Sequence, residues 1–223
     1  SGGPPLASIE ALADWLPALL DAAGIDRALL VGHSMGSLVA LEGAARHPRR
    51  CSGLALLGTS APMPVADALL GRAASAPDSA YRMMNEYSLT PRFQLHGGGG
   101  HGIWGPGANL AIMRRSPRGV LAIDLANCNE HLHGLAAAAR VNCPTLLLAA
   151  RRDRMTPRRN LPPLLAALRQ ARYVEIADCG HAMMTEKPQA VIDELLRFLP
   201  LVVAAATTVS PAASAPERSP PPG

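Results

Sequence analysis

A serine, a carboxylate and a histidine, each beside turn chemistry, are the residues of this chain whose types and spacing point to nucleophilic catalysis. Ser34 stands in Gly32-His33-Ser34-Met35-Gly36, a G-x-S-x-G pattern between the apolar run ALLVGH and a helix-forming stretch. A serine at such a strand-to-helix turn has its hydroxyl lifted toward solvent, and small flanking residues let the strained turn pass close to neighbouring backbone. The helix beginning at Met35 would set its positive end and the Met35 N–H under a developing oxyanion. A hydroxyl is a poor nucleophile until a base takes its proton, so a histidine and an acid to orient it are needed. His181 in DCGHAMMTEKP and Asp153 in LLLAARRDRMTP supply them, each just after an apolar run. Asp178, three residues from His181, reads as a turn residue; Asp153 arrives from a separate strand end and is preferred over it and over Asp124 as the partner of His181.

Elements that could position these groups alternate along the chain. Apolar spacing from Ile9 to Leu20 predicts a helix capped by Ser8 and stopped by Gly24, with Pro17 expected to kink it or end its first part. ALLVGH, GLALLGT (53–59), PTLLLAA (144–150) and ARYVEIA (171–177) are short apolar runs that read as strands, the first buried on both faces. Helices are predicted over 35–46, about 158–170 and 188–199. Strands alternating with helices imply right-handed crossovers and a parallel sheet, which delivers the strand C-termini, and with them Ser34, Asp153 and His181, to one edge. The stretch from Pro62 to about Arg140 breaks the rhythm with amphipathic segments and reads as a helical lid. The expected organisation is therefore a core of residues 1–61 and 141–200, an inserted lid of 62–140, and a disordered Pro/Ala/Ser-rich tail of 201–223 unable to build a core.

Composition excludes several classes. Apolar runs such as LPLVVAAA are far shorter than the roughly 20 residues a bilayer requires, and the opening SGGPPLASIE has neither an initiator methionine nor the layout of a secretory signal. A cytoplasmic location follows as the expectation, with no membrane partner. The net charge is +4, its basic side nearly all arginine with Lys187 the sole lysine, and aromatic residues make up 3%. That leaves no basic stripe with stacking platforms for nucleic acid. Cys51, Cys128, Cys143 and Cys179 are far apart and form no C-x-x-C pair, so buried free thiols are expected rather than a zinc site.

LVGHSMGS, PTLLLAARRDRMTP and CGHAMMTEKP, in that order with an insertion between the second and third strands, resemble the serine-hydrolase branch of the α/β-hydrolase superfamily over residues 8–200. The resemblance implies a partial α/β-hydrolase fold, with about four strands of a mostly parallel sheet and a helical lid. It implies Ser34 as nucleophile, Asp153 and His181 as acid and base, Gly32 and Gly36 as the elbow glycines, Met35 as an oxyanion donor, no cofactor and no metal. A serine in the elbow points away from the dehalogenase and epoxide hydrolase branches. Ala150-Arg151-Arg152 stand where relatives often carry glycine before the acid. The family's first strands and its second oxyanion donor precede the elbow, and only seven residues precede the helix at Ser8, so a chain lacking the N-terminal part is expected. The implied substrate is a small ester or related acyl compound, cleaved through an acyl-enzyme. Carbon–carbon bond hydrolysis, acyl transfer and perhydrolysis use the same triad, and a non-catalytic remnant is the reading from another class.

Remaining candidates carry plainer readings. His96 to Gly102, HGGGGHG, resembles the oxyanion loop of some lipases, yet it follows the nucleophile and reads as a lid loop. His131 and His133 are expected on different sides of a helix without a third metal ligand. His33 packs locally. Arg151, Arg152, Arg154, Arg158 and Arg159 read as a solvated face, with recognition of an anionic substrate as the sharper alternative. Met83, Met84, Met183 and Met184 suit either an acyl pocket or the core.

Overall fold

The computed structural model describes residues 3–96 and 104–208. The chain opens with helix α1 (Ile9–Ala22), whose N-cap Ser8 accepts a 3.0 Å hydrogen bond from the Ala11 N–H. Gly24, at φ +67°, turns the chain out of it while the Ile25 N–H reaches back to the Leu20 carbonyl. Pro17 does not end the helix: it forfeits a single backbone bond, and Ile9, Ala13 and Leu20 hold one face buried on either side of it. Strand β1 (Ala28–His33) leads through Ser34 into α2 (Met35–Arg46), followed by β2 (Cys51–Leu57).

Among the described residues, everything regular between the second and third strands is helical: α3 (Asp67–Ser75), α4 (Pro77–Ser88), α5 (Pro91–His96), α6 (Gly105–Met113), α7 (Val120–Glu130) and α8 (Gly134–Ala138). The chain then returns as β3 (Thr145–Ala150), α9 (Pro162–Ala167), β4 (Ala171–Ile176), α10 (Met183–Glu186) and α11 (Pro188–Thr208). The helix predicted over about 158–170 is shorter, because Pro162 fixes an N-terminal helical position; Arg158–Asn160 form a separate 3-10 turn before it.

The four strands form one sheet in the order β1-β2-β3-β4, every pair parallel. Period-two alternation sorts their side chains between two layers. Leu54, Leu56 and Leu147 face Leu41 of α2, Ala137 of α8 and Leu164 of α9, whereas Ala55, Leu57, Leu146 and Leu148 face Phe198 and Val202 of α11. Two expectations need correction here. β1 is not buried on both faces: it pairs only with β2 among the described residues, and Val31 is 50% exposed. Nor does ordered structure stop at residue 200, because α11 runs through Pro200 to Thr208 and seats Val202, 5% exposed, against Gly53. A Cβ on Gly53 would lie 2.6 Å from a Val202 methyl, so the glycine is what lets the last helix approach β2. Residues 209–223 of the expected tail lie outside the described residues, as does most of HGGGGHG.

Candidate active site

The turn between β1 and α2 is built around a strained serine. Ser34 has φ +54° and ψ −124°, a left-handed region that side chains other than glycine rarely occupy. It is held there from both sides: its N–H donates to the Leu57 carbonyl at 3.0 Å, and its own carbonyl accepts from the Ser37 N–H and Ser37 Oγ. Ser37 Oγ also lies 2.8 Å from Thr59 Oγ1, tying the turn to the end of β2. A Cβ on Gly32 would fall 2.0 Å from the Gly36 carbonyl oxygen, so that position admits only glycine. Gly36 is different from expectation, since a Cβ there would meet open space and its smallness serves no packing need. The Met35 N–H opens α2 and has no acceptor within the helix, as at any helix start.

Asp153 and His181 follow β3 and β4, on the far side of β2 from the serine. Asp153 Oδ2 accepts from His181 Nδ1 at 2.8 Å, and both side chains are buried. The remaining capacity of the carboxylate is filled by Thr156 Oγ1 on Oδ2 and by the Met155 and Thr156 N–H groups on Oδ1, each at 2.8 Å. Burial pushes the Asp153 carboxyl upward, but the hydrogen bonds and charge of His181 and the donors of Thr156 outweigh it, and the net shift is downward. An ionised carboxylate only accepts, so the proton of this contact is on Nδ1, which leaves Nε2 as the ring nitrogen not engaged by the acid. Nε2 is buried and has no hydrogen-bond partner among the described residues, Ser34 Oγ included. His33 Nε2–H donates to the His181 carbonyl at 2.9 Å, and the two rings lie tilted at 44° with centroids 4.5 Å apart. Burial first, and then the charge of His181, press the His33 pKa down to about 4, so its ring is neutral near pH 7.

Of the competing acids, Asp178 sits at φ +49° and pairs outward with Arg152 at 2.7 Å, away from His181. Asp124 lies in the wall of a cavity of about 560 Å³ that opens over Ser34. Met83 and Met84 line that cavity, whereas Met183 is core and Met184 is exposed. The arginine cluster divides: Arg151 and Arg158 pair with Glu175, and Arg152 with Asp178, while Arg154 alone lines the cavity, its guanidinium 4.2 Å above the Tyr87 ring.

Two readings away from the serine also change. α7 ends at Glu130, so His131 and His133 are not helical. His131 is buried with Nδ1 3.0 Å from Glu10 and Nε2 3.5 Å from Glu42, two carboxylates contributed by α1 and α2, so its polar neighbours are distant in sequence. Cys51 and Cys143, 92 positions apart, bring their sulfurs to 3.7 Å at the N-terminal edge of the sheet. Thr156, Ser37 and His33 are the contributors that spacing alone undervalued. Only Thr156 had a local signal, as a threonine three residues after an acid in a turn.

A profile of the alpha/beta hydrolase family matches residues 1–194. The chain belongs to the alpha/beta hydrolase family. Within it, a protein named as a candidate carbamate hydrolase, RutD of Pseudomonas savastanoi pv. phaseolicola, is 32% identical over 208 residues, covering 86% of this chain and 75% of its own. A protein named as a candidate non-heme bromoperoxidase, BpoC of Mycobacterium tuberculosis, is 26% identical over 195 residues, covering 84% and 73%. The solved structure of a thermophilic esterase from Thermogutta terrifontis superposes with a TM-score of 0.77 at 24% identity, over 91% of this chain and 75% of that one, a likeness of fold. Four parallel strands flanked by helices are thus the shared hydrolase core, and no helix among the described residues is long and apolar enough to cross a membrane.

Proposed function

We propose that the chain is a serine hydrolase of small esters or related acyl compounds, with Ser34 as nucleophile, His181 as general base and acid, and Asp153 holding His181. The observation that carries this reading is the setting of His181: Nδ1–H committed to a buried, four-times-bonded Asp153, Nε2 left without a partner among the described residues, and a serine in strained backbone at the same edge of the sheet, after β1. Ser34 Oγ attacks the acyl carbon as its proton passes to His181 Nε2. The carbonyl oxygen takes up negative charge against the Met35 N–H, at the positive end of α2. Collapse breaks the bond to the leaving alcohol, which departs with the proton from Nε2. Water then repeats the sequence, giving the acid and restoring the serine. Asp153 stays ionised throughout and balances the imidazolium. The helices α3, α4 and α7 act as the lid, their methionines and leucines forming an apolar wall for the acyl or alcohol group.

Relatives named for esterase and for carbamate hydrolase activity support an acyl carbon bearing a heteroatom leaving group over a carbon–carbon bond. Hydrolysis of p-nitrophenyl acetate and butyrate by the chain, by Ser34→Ala and by His181→Ala tests the reading. Both variants should lose at least about a thousandfold in turnover, as expected when one member of a triad is removed. Turnover undiminished in Ser34→Ala would overturn it.

A further inference from the structure

The wall of the cavity over Ser34 contains a residue out of keeping with its surroundings. Leu121, Asp124, Leu125 and Cys128 of α7 fall at i, i+3, i+4 and i+7, one stripe of the helix, and all four line the cavity. Such a stripe is normally apolar throughout, and opposite it are Leu69, Met83 and Met84. Asp124 interrupts it with a carboxyl that has no hydrogen bond and no ion pair among the described residues, although it is partly buried. The Cys128 thiol, one turn on, is itself pushed up to about 12 by burial and by Asp124, and offers no counter-charge. Arg154, the cation of the same cavity, is engaged with the face of Tyr87 and is not paired with Asp124. Burial raises the Asp124 pKa, and no cation or donor among the described residues offsets it. A leucine there would complete the apolar stripe, so the carboxyl answers no packing need in this wall of the cavity.

We propose that Asp124 is a specificity residue that receives a protonated amine of the substrate, so that the preferred acyl compound carries a basic nitrogen on the group held by the lid. The inference rests on the reading of the Ser34 cavity as the substrate site. An ammonium seated on Asp124 gains a charge-assisted hydrogen bond in surroundings where water competes poorly, while its alkyl stem lies on Leu121, Leu125 and the two methionines. A neutral or anionic group of the same size gains only the apolar contact or meets repulsion.

Binding can be read without turnover. Isothermal titration of the intact chain at neutral pH with n-hexylammonium, 1-hexanol and hexanoate compares three tails of equal length and different charge. Hexylammonium should bind at least about tenfold tighter than hexanol, and Asp124→Asn should bring the two within about twofold. On the unaltered chain, carbodiimide coupling of glycinamide at Asp124, mapped by peptide mass, should be suppressed by hexylammonium and not by hexanol. Equal affinities, tighter binding of hexanoate, no binding of any of the three, or a preference that survives in Asp124→Asn would each overturn the proposal. A fluorophosphonate probe applied to the same preparation separates the two readings. Labelling of Ser34 without an ammonium preference defeats this inference and leaves the hydrolase; a preference without labelling does the reverse.

Discussion

Acidification should destabilise this protein through His33 before the Asp153 carboxylate, held below its ordinary value, titrates. The ring is packed against His181 and donates to the His181 carbonyl, and its pKa is brought from 6.5 to about 4 by burial. Between those values the unfolded chain binds a proton that the folded chain does not, so stability is fully present above pH 6.5 and declines as the pH falls toward 4. At pH 5 the unfolded state is favoured by a factor of about thirty from this one group, a loss of about 2 kcal/mol relative to pH 7. His33→Gln keeps an N–H donor near the position of Nε2 and removes the titration. Urea unfolding of both proteins at pH 7, 6 and 5 isolates the effect, because every other group contributes alike to the two curves. The variant should lose about 2 kcal/mol less than the parent between pH 7 and 5. Parallel pH dependences would mean that His33 takes up its proton freely in the folded state and that its burial against His181 is wrong.

The two elbow glycines should behave oppositely. Gly32→Ala drives a methyl group to 2.0 Å from the Gly36 oxygen and should cost about 3 kcal/mol or more, whereas Gly36→Ala meets nothing and should hold or raise the urea midpoint, by up to about 1 kcal/mol, as alanine does in a helix. Thr156→Val withdraws the hydroxyl from Asp153 Oδ2 and should lower kcat/KM about tenfold to a hundredfold, read with p-nitrophenyl butyrate; unchanged kinetics would show that Thr156 does not help position Asp153. Val202→Asp places a charge between α11 and β2 and should cost about 3 kcal/mol in urea unfolding, while a neutral outcome would mean that the helix does not pack beyond Leu199.

The sheet and the edge that carries the candidate triad were legible because they rest on local, strong signals. Four apolar runs bounded by turn residues became four parallel strands, and the acid and histidine stood where two of those runs end. Signals of two other kinds failed. Composition judged residues 201–208 as unable to pack, yet Val202 needs only the notch at Gly53, a contact created by chain folding and invisible in the tail's own sequence. Spacing judged His131 as isolated, yet Glu10, Glu42 and His131 meet across elements far apart along the chain, while the cysteines are free thiols as expected, three of them buried, with Cys51 and Cys143 brought together by the fold. β1 read as fully buried because its residues are apolar, but burial of a strand face depends on what covers it, and Val31 is half open. Gly36 carried a steric reason in the motif that the geometry does not require, while the reason for Gly32 stands.

Covalent labelling of the serine tests the catalytic assignment most directly. The intact chain, treated with a fluorophosphonate probe and digested, should carry the phosphonyl adduct on the peptide containing Ser34; labelling should vanish in Ser34→Ala and slow sharply in His181→Ala and Asp153→Asn, because the serine is nucleophilic only while the Asp153-held His181 can take its proton. An adduct on any other residue, or labelling of Ser34 that proceeds at the same rate without His181, would contradict the triad.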